Sequence, residues 1–422
     1  MIRKHLVFIS LLAVAGMACT NQSTPPDAAP ASIRPELPPT GSWRFVLQSP
    51  GGELPFTVLI EDGDNGRNAV ALNDAERLEF DRVAVAEDGT VTLSIDHYES
   101  VFRGKLNEKG TRLEGTWTKL VNQDRTATLP FFAVHDDTSR FEVTSAEDPV
   151  DLAGRWSVAF TQDGEPSGEA IGEFRQEGKR LTGTFLTKTG DYRFLEGVVD
   201  GRQLKLSCFD GGHAFLFLAT LDEQNRLRGD FWSSDKWHER WDAERNEAAE
   251  LPDAYSLTEL QDPSNGFRFS FPDLEGNLVN HDSELLAGKV RLITLFGSWC
   301  PNCNDEAPLL ESLFRQYGDR GFQVLGLAFE ATGDTKRDTR AIKRFQKRHK
   351  LTYPILLAGT KDKAEAGKKL PDLNHLLAYP TSILIDRKGE VVAIHTGFSG
   401  PGTGHHYTQY TEDLRRRIEE LL

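Results

Sequence analysis

Two stretches of this 422-residue chain answer each other across more than a hundred residues, and that duplication limits what the first two-thirds can fold into. "GSWRFVL" from residue 41 and "AGRWSVAF" from residue 153 both carry Gly-x-Trp, pairing Trp43 with Trp156. Further on, "LNEKGTRLEGTWTK" answers "LDEQNRLRGDFWSS" at nearly the same interval, pairing Trp117 with Trp232. Two copies of one unit are the economical reading. Each copy alternates apolar and polar residues in short runs broken by turns such as "EDGT", "NEKG" and "VDGR". That pattern predicts an all-β region of two repeated antiparallel units, each a barrel or sandwich, over residues 41–137 and 150–245. The Trp and Phe residues at period two read first as core and second as the lining of a cavity.

The first residues read as an address. Arg3, Lys4 and His5 precede the apolar run "LVFISLLAVAG", which is too short to span a bilayer but suits a signal peptide over 1–18. "GMAC" then places Cys19 where bacterial lipoproteins carry their acylated cysteine. The Pro-, Ser- and Ala-rich stretch 19–40 reads as a flexible tether. The chain is therefore expected to be exported, to a periplasmic or cell-envelope location, and held at the membrane by a lipid on Cys19. A formal charge of -15, concentrated upstream of residue 266, excludes nucleic acid as a natural partner, because phosphate binding needs clustered cations.

Export makes the four cysteines worth separating. Cys208, in "RQLKLSCFD", shares one side of a strand pattern with Leu204 and Leu206 and reads as a core thiol. Cys300 and Cys303, in "LFGSWCPNCNDEAP", form the only local pair. A loop this short gains little as a staple. A tetrahedral zinc site would need two further ligands that the neighbourhood lacks, so no metal is expected. The apolar run "KVRLITLF" suits a buried strand, and "PNCNDEAPLLESLFRQYGDRG" reads as an amphipathic helix ended by Gly321. Cys300 thus falls at a helix N-terminus, where free N–H groups and the dipole favour a thiolate, with Pro301 at the first helical position. The spacing predicts an exposed nucleophile, Cys300, followed one turn later by a covered resolving thiol, Cys303.

Beyond that helix the order is strand (321–330), basic helix (338–350), short strand, then two strands (381–385 and 390–396) joined by "DRKG", and a last helix in "TEDLRRRIEELL". With its strand-flanked CxxC beside Trp299 and the segment "YPTSILIDRKGEVV", the stretch 266–422 resembles the thioredoxin-like disulfide reductases of the TlpA and ResA type. The resemblance implies an α/β thioredoxin-like domain over 266–422, joined to the β units by a linker over 246–265. It implies catalytic roles for Cys300, Cys303, the cis proline Pro380, and Glu330, whose carboxyl would move the resolving cysteine's proton. It implies a substrate groove built from Trp299, Pro301, Asn302, Tyr379 and Thr381. Glu306 and Pro308 follow the family's helix pattern, but a surface Glu and a helix kink explain them equally well. No cofactor is implied. The partners would be disulfide-containing proteins, in cytochrome c maturation or general disulfide reduction, and a membrane thiol electron donor.

Two other readings stand beside this one. A thiol peroxidase would need Pro and Thr ahead of the nucleophile where Ile293 and Gly297 stand. A binding protein would make the β units the working part and the redox domain regulatory.

Overall fold

A computed structural model describes residues 37–64 and 66–422, so Cys19, the signal segment and most of the expected tether lie outside the described residues. No helix among the described residues is long and apolar enough to cross a membrane.

Residues 41–135 form a nine-stranded antiparallel sheet in which the first strand, Gly41–Ser49, also pairs with the last, Arg125–His135. Its two edges are the short strands Glu76–Glu79 and Arg82–Val85, which do not pair with each other, so the sheet curls without closing. Residues 154–245 close completely. Glu165–Glu177, thirteen residues long, pairs with Gly154–Gln162 on one side and Arg180–Thr187 on the other, and Gly154–Gln162 pairs in turn with Trp237–Arg245. The result is an eight-stranded barrel beside an open sheet.

The duplication persists in atomic detail. The Trp43 indole donates to the Pro39 carbonyl at 3.0 Å and the Trp156 indole to the Leu152 carbonyl at 3.1 Å, each four residues back. Gly115 and Gly229 lie so close to the neighbouring strand that a Cβ would come within 1.9 Å of a carbonyl oxygen, which is why both copies keep glycine there. One expected pairing is off by a residue. Phe231 is the inward partner of Trp117, while Trp232 points out of the barrel onto Gly51 of the first sheet. A shift of one residue in a strand moves a side chain to the other face, and adjacent aromatic residues disguise that shift in the sequence.

The two units do not keep separate cores. Phe209, Ala214 and Leu216 leave the barrel to complete the core of the open sheet. Phe209 stacks on Phe56 with centroids 4.7 Å apart and meets Trp117 edge-on. Cys208, facing the other way, is buried among the barrel's own apolar residues.

The C-terminal domain is a five-stranded sheet with helices around it. In chain order it contains β1 (Val290–Phe296), α1 (Pro301–Tyr317), β2 (Phe322–Glu330), α2 (Thr335–His349), β3 (Ile355–Thr360), α3 (Lys363–Lys369), β4 (Thr381–Ile385), β5 (Val391–Thr396) and α4 (His405–Leu421). The strand order is β3-β2-β1-β4-β5, with β1, β2 and β3 parallel and β4 and β5 antiparallel. This is the thioredoxin-like arrangement. All nine residues of β2 are buried, as expected for a strand covered on both faces. The helix α1 begins where Cys300 caps it and Pro301 costs no hydrogen bond, and its exit turn closes at Gly321, whose φ of 92° suits glycine. The stretch 246–265 lies along this domain, with Tyr255 donating to Asp413 and Leu260 bridging to Leu373.

Candidate redox site

The parallel strands β1 and β2 end beside the start of α1, and the loop before β4 comes back to the same point. This brings together most of the residues singled out in the sequence. The Cys300 sulfur accepts a hydrogen bond from the Cys303 backbone N–H at 3.3 Å, and its thiol donates to the Tyr379 carbonyl at 3.5 Å. The Tyr379–Pro380 peptide bond is cis, and the buried Thr381 hydroxyl donates back to Ala378. Trp299 donates its indole N–H to the Phe329 carbonyl at 2.8 Å and meets Tyr379 edge-on with centroids 5.8 Å apart. The Lys361 ammonium covers the face of the Trp299 ring.

Cys303 is fully enclosed. Burial first, and then the Cys300 sulfur, push its thiol well above the ordinary range. A group must therefore take its proton if it is to act as a nucleophile, and two buried carboxyls flank the cysteine loop, Glu306 acting on Cys303 and Glu330 bonded to Ser298. Glu330, at the end of β2, is pushed up to about 7 by burial, and accepts hydrogen bonds from the Ser298 N–H at 2.9 Å and the Ser298 hydroxyl at 2.7 Å. Glu306, one turn beyond Cys303 on α1, is likewise pushed up to about 7 by burial. Hydroxyls of Thr294 on β1, Ser382 on β4 and Tyr410 on α4 donate to it. A surface position is thus excluded for Glu306, and its charge adds to the forces that keep the Cys303 proton in place. Its spacing after the cysteines was the available signal. What the sequence lacked was any sign that three hydroxyls from three elements would converge on it.

The expectation of an exposed nucleophile is not met, because Cys300 is only 6% exposed. A helix N-terminus sets the direction in which the sulfur faces, but cannot say what packs over it. Here the β region does. Arg193 of the barrel donates to the Pro301 carbonyl at 3.0 Å and pairs with both Asp305 on α1 and Glu76 of the open sheet. Asp191 accepts from the Asn302 amide at 3.1 Å and from the Gly400 N–H at 2.7 Å. The barrel turn at Gly212 sits so near Pro301 that a Cβ there would approach the proline ring to 2.8 Å, and Lys119 of the open sheet donates to the Gly212 carbonyl. Pro301 and Asn302, expected to line an open groove, are thus part of an interface with the barrel. The open sheet grips the neighbouring helix as well, through Glu99 with Arg337 and Arg344 of α2. Asp305 is pushed up to about 7 by burial, against the pull of Arg193.

Among the described residues, one group has donors spaced for a metal: Glu173 of the barrel with His405 and His406 of α4. Arg155 lies 3.5 Å from the same Glu173 oxygen that accepts from His406, and the positive end of α4 adds to it, so the local field opposes a cation.

Residues 259–410 match the family model described as Redoxin. The thiol-disulfide oxidoreductase ResA of Halalkalibacterium halodurans is 29% identical over 129 residues, which cover 31% of this chain and 65% of that protein. The thioredoxin-like protein YneN of Bacillus subtilis is 31% identical, covering 26% of this chain and 58% of that one. The chain thus spans just under two thirds of the length of the first curated relatives it matches. Among solved structures, a thioredoxin-family thiol:disulfide interchange protein from Chlorobium tepidum is 23% identical with a TM-score of 0.28, covering 37% of this chain and 94% of that one. The C-terminal third of this chain thus has a thioredoxin-like fold and is similar to redoxin domains and to the ResA-type thiol-disulfide oxidoreductases.

Proposed function

We propose that this protein is an extracytoplasmic thiol-disulfide oxidoreductase that reduces disulfides of partner proteins. The observation that carries this reading is the Cys300–Cys303 dithiol at the start of α1, with the Tyr379 carbonyl against the first sulfur and two near-neutral carboxyls close by. The Cys300 thiolate attacks one sulfur of the partner disulfide, forming a mixed disulfide and expelling the partner's other sulfur as a thiolate. Cys303 then loses its proton to Glu306 or Glu330 and attacks the Cys300 sulfur, releasing the second partner thiol. The partner gains two electrons and the pair is left as a disulfide, which a membrane thiol donor reduces again. Pro380, Tyr379, Thr381 and Trp299 hold the segment where the partner's backbone docks. A lipid on Cys19 would keep the domain at the membrane, in the periplasm or cell envelope, and cytochrome c maturation is one process such a reductase would serve.

The test is the reduction potential of the pair, obtained by equilibration in thiol buffers followed by alkylation, with Cys300→Ser as the blank. A value near or below about -230 mV supports a reductase, whereas a value near about -120 mV makes the protein an oxidant and overturns this direction of flow.

A further inference from the structure

We propose that the mouth of the eight-stranded barrel is a binding site for an organic cation, an ammonium or guanidinium group carried on the segment that flanks the substrate's disulfide. The second half of this statement rests on the oxidoreductase reading, whereas the cation site stands on the barrel alone.

A cavity of roughly 440 Å³ opens at this end of the barrel. Its walls include Phe160, Tyr192, Phe231 and, half exposed at the rim, Trp237. Set among these rings is a carboxylate. Glu239 faces inward opposite Phe231, is 7% exposed, and one of its oxygens accepts from the Trp237 indole at 3.0 Å. Among the described residues no Lys, Arg or His reaches it at salt-bridge distance, and its other oxygen accepts from no protein donor and is left open to the solvent of the cavity. Tyr192 lines the same cavity, its ring packed against Phe160 and Phe231.

A largely covered carboxylate with no cation beside it, opening into a cavity, is a natural seat for a ligand of opposite charge. Aromatic faces around it attract the same kind of ligand, since their quadrupoles favour cations. The other charged groups at the mouth are accounted for. Asp191 is held by Asn302, Gly400 and Arg193, and Asp210 by His213 and the Gly212 N–H. Glu169 and Lys188 are both solvated at the rim. Asn302, between the two cysteines, lines the same cavity. A side chain seated on Glu239 would therefore belong to a chain segment already at the redox pair.

The experiment uses the full chain and two disulfide-bridged peptides that differ only in carrying lysine or glutamate beside the cysteine, with N-acetyl-lysine amide as the free amine. Binding is followed by calorimetry in the protein carrying both Cys300→Ser and Cys303→Ser, where the pair cannot exchange. Turnover is followed in the unaltered protein. The lysine peptide is expected to bind about tenfold more tightly than the glutamate peptide and to show a correspondingly lower KM. Glu239→Gln, or Trp237→Ala at the rim if the first variant fails to fold, is expected to erase that preference. Binding of the free amine alone, lost in Glu239→Gln, would support the cation site and reassign its occupant to a free amine. Tight binding of the lysine peptide without turnover would leave the cation site standing and sink the redox reading. Equal binding of both peptides, or a preference that survives Glu239→Gln, would overturn the proposal.

Discussion

Glu306→Gln should make the protein more stable at pH 8 and leave it almost unchanged at pH 4. Burial raises the Glu306 carboxyl from an ordinary 4.5 to about 7, so the folded state favours its neutral form. A pKa above that of the unfolded chain contributes stability that is fully present below the unfolded value and is lost as pH rises through the folded one. Each unit is worth about 1.4 kcal/mol, so ionising Glu306 in place costs up to about 3 kcal/mol at pH 8. Glutamine is neutral throughout; its oxygen can accept from one of Thr294 and Ser382 while its amide N–H donates to the hydroxyl oxygen of the other. The measurement is native-state hydrogen exchange on peptides from β1 and α1, at pH values from 4 to 8. Carrying both proteins in a Cys303→Ser background keeps the coupling between the carboxyl and the thiol out of the comparison. A gain of about 3 kcal/mol at pH 8 that falls to just under about 1 kcal/mol at pH 5 and nearly vanishes by pH 4 is expected. An offset constant across this range, or a variant less stable at pH 8, would refute the claim that this carboxyl is held near neutrality by burial.

Three further outcomes follow from the same contacts. Arg193→Met strips the cation from the buried pair Glu76 and Asp305, and should cost about 3–5 kcal/mol by urea denaturation while speeding alkylation of Cys300 by iodoacetamide. Unchanged alkylation would mean that the barrel does not limit access to the sulfur. Phe209→Ala removes the ring that fills the open sheet's core from the barrel side, and should cost about 3–5 kcal/mol, with exchange rising first in residues 52–63 and 100–122. Cys303→Ser should trap a mixed disulfide between Cys300 and a disulfide substrate, seen on a non-reducing gel and absent when Cys300 is also replaced.

The C-terminal domain was legible because its signals are local. An apolar run, a proline at a helix start and a glycine at its exit each act over a few residues, and together they put β1, α1 and β2 in order. The repeat was legible for the same reason, though the adjacent Phe231 and Trp232 hid which one faces inward. Closure of one β unit and not the other was not legible. It depends on the third strand of the unit: Arg180–Thr187 pairs with Glu165–Glu177 on one side and Leu195–Asp200 on the other, whereas the first sheet ends in the short strands Glu76–Glu79 and Arg82–Val85, which leave the seam unpaired.

Least legible was the cover over the cysteines. Asp191, Arg193 and Gly212 sit in ordinary turn-rich sequence, more than eighty residues before the Pro301–Asn302 dipeptide they touch, and no local pattern marks a side chain for a partner that distant. This cover bears directly on mechanism. A partner disulfide must approach the Cys300 sulfur in line with the bond that breaks, yet the sulfur is enclosed and the flanking Pro301 and Asn302 are bonded to the barrel. Any substrate large enough to bring a backbone against Pro380 must therefore displace part of the Asp191–Arg193 contact or dock through the barrel mouth beside Asn302. The first route makes the Glu76–Arg193–Asp305 cluster a barrier whose removal speeds every substrate alike. The second makes it a wall whose removal speeds large disulfides and leaves small ones unchanged. Comparing turnover of a small aromatic disulfide with that of a protein disulfide in Arg193→Met decides between them.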